Sequence, residues 1–191
     1  MRKLFLIPFI FIACNQTPEL SDATIGGLAS APEGSKKEPY EDNPDLVRVT
    51  LEKTGGGVMQ EGNYLNGKLH GTWTVYHLNE LVKSMTTYVA GVKEGTHLEI
   101  DDRGRLTLKA HYHNNQYHGD YIAYKNIRVV ERRRYDNGQL EGTVKKYYDN
   151  GNIMEESLYA NGKLNGVSKW YDQEGNVTLE YKYEDGALVK K

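Results

Sequence analysis

The chain has 191 residues and a net charge of −2, with Lys, Arg, Asp and Glu intermixed. That balance gives no push toward nucleic acid or an acidic partner. Aliphatic residues are sparse while tyrosines number 15, which argues against a layered Leu/Ile core and for a half-exposed sheet, where a ring packs and its hydroxyl meets water.

The chain opens with Met1-Arg2-Lys3 and an apolar run from Leu4 to Ile12, too short for a membrane span of about 20 residues. Ala13 and Cys14 follow. This arrangement resembles a bacterial lipoprotein signal, in which the cysteine after a small residue becomes the lipidated N-terminus. The expectation is a signal peptide over residues 1–13, a membrane anchor on Cys14 and a place in the cell envelope, at the outer membrane in a cell with two. Cys14 is the one cysteine in the sequence, so no disulfide and no thiolate metal site is expected, and lipidation accounts for the lone thiol of an exported chain. Residues 14–45 are rich in Pro, Gly, Ser and charge and lack any hydrophobic period. They are expected to form a disordered tether that sets the folded part about 30 Å from the membrane.

From Tyr64 onward the sequence repeats every 23 or 24 residues. The anchors are Tyr64, Tyr88, Tyr112, Tyr135, Tyr159 and Tyr183, and seven residues after each of the first five comes Gly71, Gly95, Gly119, Gly142 or Gly166. Three residues after each anchor stands a glycine, with Asn115 the one replacement. Apolar and polar residues alternate before each anchor, as in Leu106, Leu108, Ala110 and Tyr112 against Thr107, Lys109 and His111. Such alternation marks a strand with one buried face. Asn-Gly pairs and single glycines between the runs supply the positive φ of tight hairpin turns. The expected fold is all-β, an elongated antiparallel β-hairpin repeat array over residues 46–191, with five full repeats and a half repeat at each end. The second glycine of each copy is expected where a side chain would collide with the neighbouring copy. The third copy is one residue short around Lys125-Asn126-Ile127.

Tyr135 to Gly151 and Tyr159 to Gly175 carry the pattern most fully, and the array resembles the MORN repeat in its longer bacterial variant. The resemblance covers residues 64–191. It implies a hairpin-array fold and, among relatives, scaffolds, membrane-associated adaptors and modules fused to enzymes. One bacterial group with this repeat is labelled as antitoxins of toxin–antitoxin systems.

Several side chains are candidates for function. His111, His113 and His118 could approach a metal or serve a hydrolase, but metal sites need three or four converging ligands, so they read as polar residues of a solvated strand. Alternation sends Arg133 to the face of Tyr135 and Arg132 and Arg134 to the other; the run offers a contact for a phosphate or an anionic lipid, but with Glu131 as a local counter-charge and a neutral overall balance it reads as a solvated strand. Trp73 and Trp170 are candidate interaction residues if exposed, and cross-strand packing residues otherwise. No nucleophile elbow, phosphate-cradling loop or carboxylate pair is evident, and the glycines follow the repeat rather than a nucleotide motif. The expectation is therefore a non-enzymatic module without metal or cofactor. It would be lipid-anchored through Cys14 and would bind a protein or polysaccharide through its repeat surface. The alternatives are an antitoxin-like protein that neutralises a toxin by binding and, further off, a hydrolase.

Overall fold

The computed structural model describes residues 31–190. The expected signal peptide, Cys14 and the first part of the expected tether lie outside the described residues. The rest forms one antiparallel sheet of sixteen strands in sequence order. It begins with β1 (Lys36–Tyr40), β2 (Asn43–Glu52), β3 (Val58–Leu65), β4 (Lys68–Tyr76), β5 (Val82–Val89), β6 (Val92–Ile100) and β7 (Leu106–His113). Next come β8 (Gln116–Tyr117), β9 (Gly119–Lys125), β10 (Arg128–Asp136), β11 (Gln139–Leu140) and β12 (Gly142–Tyr147). It closes with β13 (Ile153–Ala160), β14 (Lys163–Tyr171), β15 (Val177–Glu184) and β16 (Ala187–Lys190). The array is all-β, as the alternation predicts.

The sheet starts ten residues earlier than the period predicts. Residues 36–45, assigned above to the tether, pair as β1 and the first part of β2. The reason is physical: every residue of β1 is exposed, so its pairing rests on backbone hydrogen bonds and leaves no hydrophobic period to read.

Two kinds of turn join the strands. Between copies the turns have two residues, both at positive φ: Asn66-Gly67, Ala90-Gly91, Asn114-Asn115, Asn137-Gly138, Asn161-Gly162 and Asp185-Gly186. This geometry matches the right-handed twist of the strands. The second turn residue also donates its N–H to the copy before, as in Gly91 to the Leu69 carbonyl at 2.7 Å and Gly162 to the Leu140 carbonyl at 2.9 Å. The turns thus form a hydrogen-bonded row along one edge. At the opposite edge, side chains bond the backbone of the next copy: Asn79 Nδ2 to the Asp102 carbonyl at 2.7 Å, Tyr148 Oη to the Tyr171 carbonyl at 2.6 Å. The short third copy closes there with a two-residue turn, Asn126-Ile127, both at positive φ. The missing residue is absorbed in that turn, and the faces of the following strands keep their alternation.

Each copy also contains a bulge, and this corrects the account of the second glycine. After each of the first five inter-copy turns the new strand carries two more residues than its partner, and after Asp185-Gly186 it carries one. Gly62 faces 71–73, Thr87 faces 94–96 and Leu158 faces 165–167, and the breaks between β8 and β9 and between β11 and β12 fall at the same place. Gly71, Gly95, Gly119, Gly142 and Gly166 sit in these bulges with φ between +77° and +119°. A Cβ on Gly71, Gly119 or Gly142 would meet nothing within 4 Å. At these three positions the glycine is therefore required by backbone conformation rather than by collision. Gly166 alone of the five also lacks room, with Leu158 2.9 Å from the added atom. Gly142→Ala should then cost about 1–2 kcal/mol, the penalty of a left-handed L-residue, although the site is empty. Chemical denaturation checks this; an unchanged midpoint would show that the bulge relaxes freely.

Every buried residue among those described lies on the face of the anchor tyrosines. Each anchor after Tyr64, which faces Val47, stands directly across from the bulge glycine of the preceding copy: Tyr88 from Gly71, Tyr112 from Gly95, Tyr135 from Gly119, Tyr159 from Gly142, Tyr183 from Gly166. On the other flank stands the residue just past the next turn, such as Leu69, Tyr117, Leu140 or Leu164. The column along the sheet therefore alternates anchor and spacer. Burial comes from same-face neighbours of adjacent copies, which is how a quasi-one-dimensional array builds a core.

Candidate binding faces

The tyrosine face differs along its length. Its N-terminal third is a closed core of Val49, Tyr64, Leu69, Trp73 and Tyr88. Trp73 is only 3% exposed, stands edge-on to Tyr64 at 5.9 Å and donates Nε1–H to Gln60 Oε1 at 3.2 Å. It covers Gly62, where a Cβ would lie 2.6 Å from the indole. Trp73 is thus a core residue and no interaction residue: the bulge turns its indole onto a bare glycine of the neighbouring strand.

The middle third is an aromatic cluster with charges built in. Tyr112 and Tyr117 stack at 4.6 Å, and Tyr117 meets Tyr121 at 5.4 Å and Tyr135 at 5.3 Å. Arg133 lies over Tyr121 at 5.2 Å and bonds Glu131 at 2.8 Å and the Tyr135 hydroxyl at 3.1 Å. Burial works against the guanidinium charge, but the bonds to Glu131 and Tyr135 outweigh it and hold Arg133 above its ordinary value. Burial pushes the Tyr117 phenol up as well, and that of Tyr121 to about 12. These groups keep fixed charge states across physiological pH, so the cluster is a static surface.

The C-terminal third is open. Trp170 is half-buried and meets Tyr181 at 5.6 Å. Around it Val177, Leu179 and Leu188 are 51%, 47% and 53% exposed. Trp170 stands directly across from Leu179, and Tyr183 from Leu188. Here the tyrosine face presents an apolar strip to solvent.

On the opposite face, cations mostly oppose carboxylates. Arg48 pairs with Glu61 at 2.7 Å, Lys145 with Glu156 at 3.1 Å and Lys169 with Glu180 at 3.3 Å. The arginine run divides as alternation predicts, with Arg132 and Arg134 on this face. Together with Asp120, Ile122, Arg133, Thr143 and Lys145 they line a shallow depression of about 290 Å³.

The histidines separate. His113 and His118 approach to 5.5 Å between ring centres. His113 Nδ1 bonds Glu94 at 2.9 Å, while His118 Nδ1 lies 3.3 Å from Asp136. His111 sits on the strand facing Thr96. Among the described residues no three His, Cys, Asp or Glu side chains are placed to hold a metal together. Glu94 and Glu141 instead accept the first N–H of the following turn, from Asn114 and Asn161, both at 3.0 Å. His118 occupies the corresponding place in the copy between. Sequence reasoning did not single out Tyr117, Tyr121, Leu179 or Leu188. Their signal is the pairing register, which brings them beside the anchors and which the period alone does not give.

These features define a β-hairpin repeat protein whose two long faces, rather than a cleft, are available for contacts. The family model described as "MORN repeat variant" matches residues 140–161 and 164–190, which are the fourth and fifth copies. No curated protein matches the chain. Among solved structures, the crystal structure of TarM matches at TM-score 0.36 and 11% identity, over 56% of this chain and 21% of that one. A mutant of S. aureus TarM in complex with Fondaparinux, alpha-GlcNAc-glycerol and UDP matches at TM-score 0.37 and 10% identity, over the same shares. The chain thus spans about a fifth of the length of these structures.

Proposed function

We propose that the protein is a non-enzymatic module of the cell envelope, held by lipid on Cys14, which binds a protein or polysaccharide through the open end of its tyrosine face. One observation carries the reading. The same face is closed over its N-terminal copies and leaves Trp170, Leu179 and Leu188 accessible over its C-terminal ones. Apolar area of this kind, with an aromatic anchor, is what contact surfaces use. The N-terminal sequence supports an exported, lipidated chain.

Capture from detergent-solubilised envelope extracts tests it. The full chain should retain a discrete partner, and Trp170→Ala with Leu179→Ser should release it while keeping the sheet signal in circular dichroism. Equal capture by parent and variant contradicts the reading. Fractionation of the protein wholly with the cytoplasm would favour an antitoxin-like role instead, with a toxin as the partner.

A further inference from the structure

We propose that the depression on the opposite face is a site for a single phosphate ester, carried by a sugar or polyol, with Arg132 and Arg134 as its clamp. This site is independent of the tyrosine face. Arg132 and Arg134 stand two residues apart on one strand, so their side chains leave the same face about 7 Å apart. Arg132 has Ile122 directly across on one side and Lys145 on the other. It therefore stands between an apolar and a cationic neighbour, whereas Arg48, Lys145 and Lys169 on this face each meet a carboxylate. Among the described residues Arg132 and Arg134 close no ion pair, and both are exposed. Two guanidinium groups leaving one face side by side repel each other unless an anion sits between them.

The donor set fits a tetrahedral oxyanion. Guanidinium groups offer paired N–H donors matched to phosphate oxygens. Lys145, whose ammonium pairs with Glu156 at 3.1 Å, and Thr143 border the same hollow. Ile122 contributes an apolar lining. Asp120, directly across from Arg134, is the one carboxylate bordering it. It repels a second phosphate and accepts from a hydroxyl, which selects a monophosphate on a hydroxyl-bearing carrier over a polyphosphate.

Titration of the isotope-labelled full chain with inorganic phosphate, glucose 6-phosphate and glucose, at constant ionic strength, tests the site by NMR of the arginine side chains. Both phosphates should shift the Arg132 and Arg134 signals saturably, glucose 6-phosphate at lower concentration, and glucose alone should not. Arg132→Gln with Arg134→Gln should weaken phosphate binding at least tenfold, Thr143→Val by less. Lys109→Gln, an exposed cation of the same face outside the hollow, should leave it unchanged. Asp120→Asn should remove the advantage of the sugar phosphate. Shifts that grow linearly without saturation, or equal binding by the arginine variant, overturn the proposal. So does binding to vesicles of phosphatidylcholine with phosphatidylglycerol when neither soluble phosphate binds, since that is the behaviour of a diffuse basic face.

Discussion

Tyr135→Ala lowers the stability of the array by about 3–5 kcal/mol, the scale of large aromatic-to-alanine changes in packed positions. Tyr135 is 7% exposed and lies directly across from Gly119 on one side and Leu140 on the other. Its ring contacts Tyr117 and Tyr121, and its hydroxyl accepts from Arg133. Truncation removes the ring and also leaves Arg133 with Glu131 as its remaining hydrogen-bond partner. Tyr135→Phe separates the two losses: it keeps the packing and forfeits only the hydrogen bond, about 1 kcal/mol. The lesion sits in the middle of an array whose copies contact mainly their neighbours, so it should also uncouple the two halves. Denaturant unfolding followed by tyrosine and tryptophan fluorescence should turn from one transition toward two, since Trp73 and Trp170 report on opposite ends. A variant that unfolds in one step at the parental midpoint shows that the central cluster carries no share of the fold.

Cys14→Ser should abolish membrane attachment. On the proposed reading the anchor rests on acyl chains at this residue. One chain gives marginal binding, whereas two or three give stable attachment. The parent should incorporate a fatty-acid analogue and sediment with membranes. The variant should incorporate none and either remain unprocessed or appear in the soluble fraction. Because Cys14 lies upstream of the sheet, both forms should show the same circular dichroism. A parent that takes up no label contradicts the anchor without touching the fold.

The turns, the alternation and the face of each anchor were legible because they depend on residues close in sequence. Asn-Gly pairs report a positive φ locally, and the period places them. The division of Arg132, Arg133 and Arg134 between two faces followed from parity alone. The strand β1 was not legible, since it buries nothing and its partner supplies the pairing. Nor was the reason for the second glycine: the spacing shows that Gly142 recurs, but only the register reveals a bulge that adds two residues and demands φ of +78°. The same bulge hid the fate of Trp73. Read along its own strand it is one more apolar position, and its burial depends on Gly62 in the strand before. The candidate contact surface was half visible. Trp170 stood out by type, while Leu179 and Leu188 became meaningful only once pairing put them beside Trp170 and Tyr183.

The most direct test of the account uses adjacent residues of β14 that point to opposite faces. A photo-crosslinking amino acid placed at Trp170 samples the open tyrosine face, and the same group at Lys169 samples the other. Irradiation of intact cells should give a discrete adduct of the full-length protein from position 170 and none of that size from position 169. Adducts from 169 alone, or none from either position in cells that express the protein at its native level, would contradict a binding role for the tyrosine face.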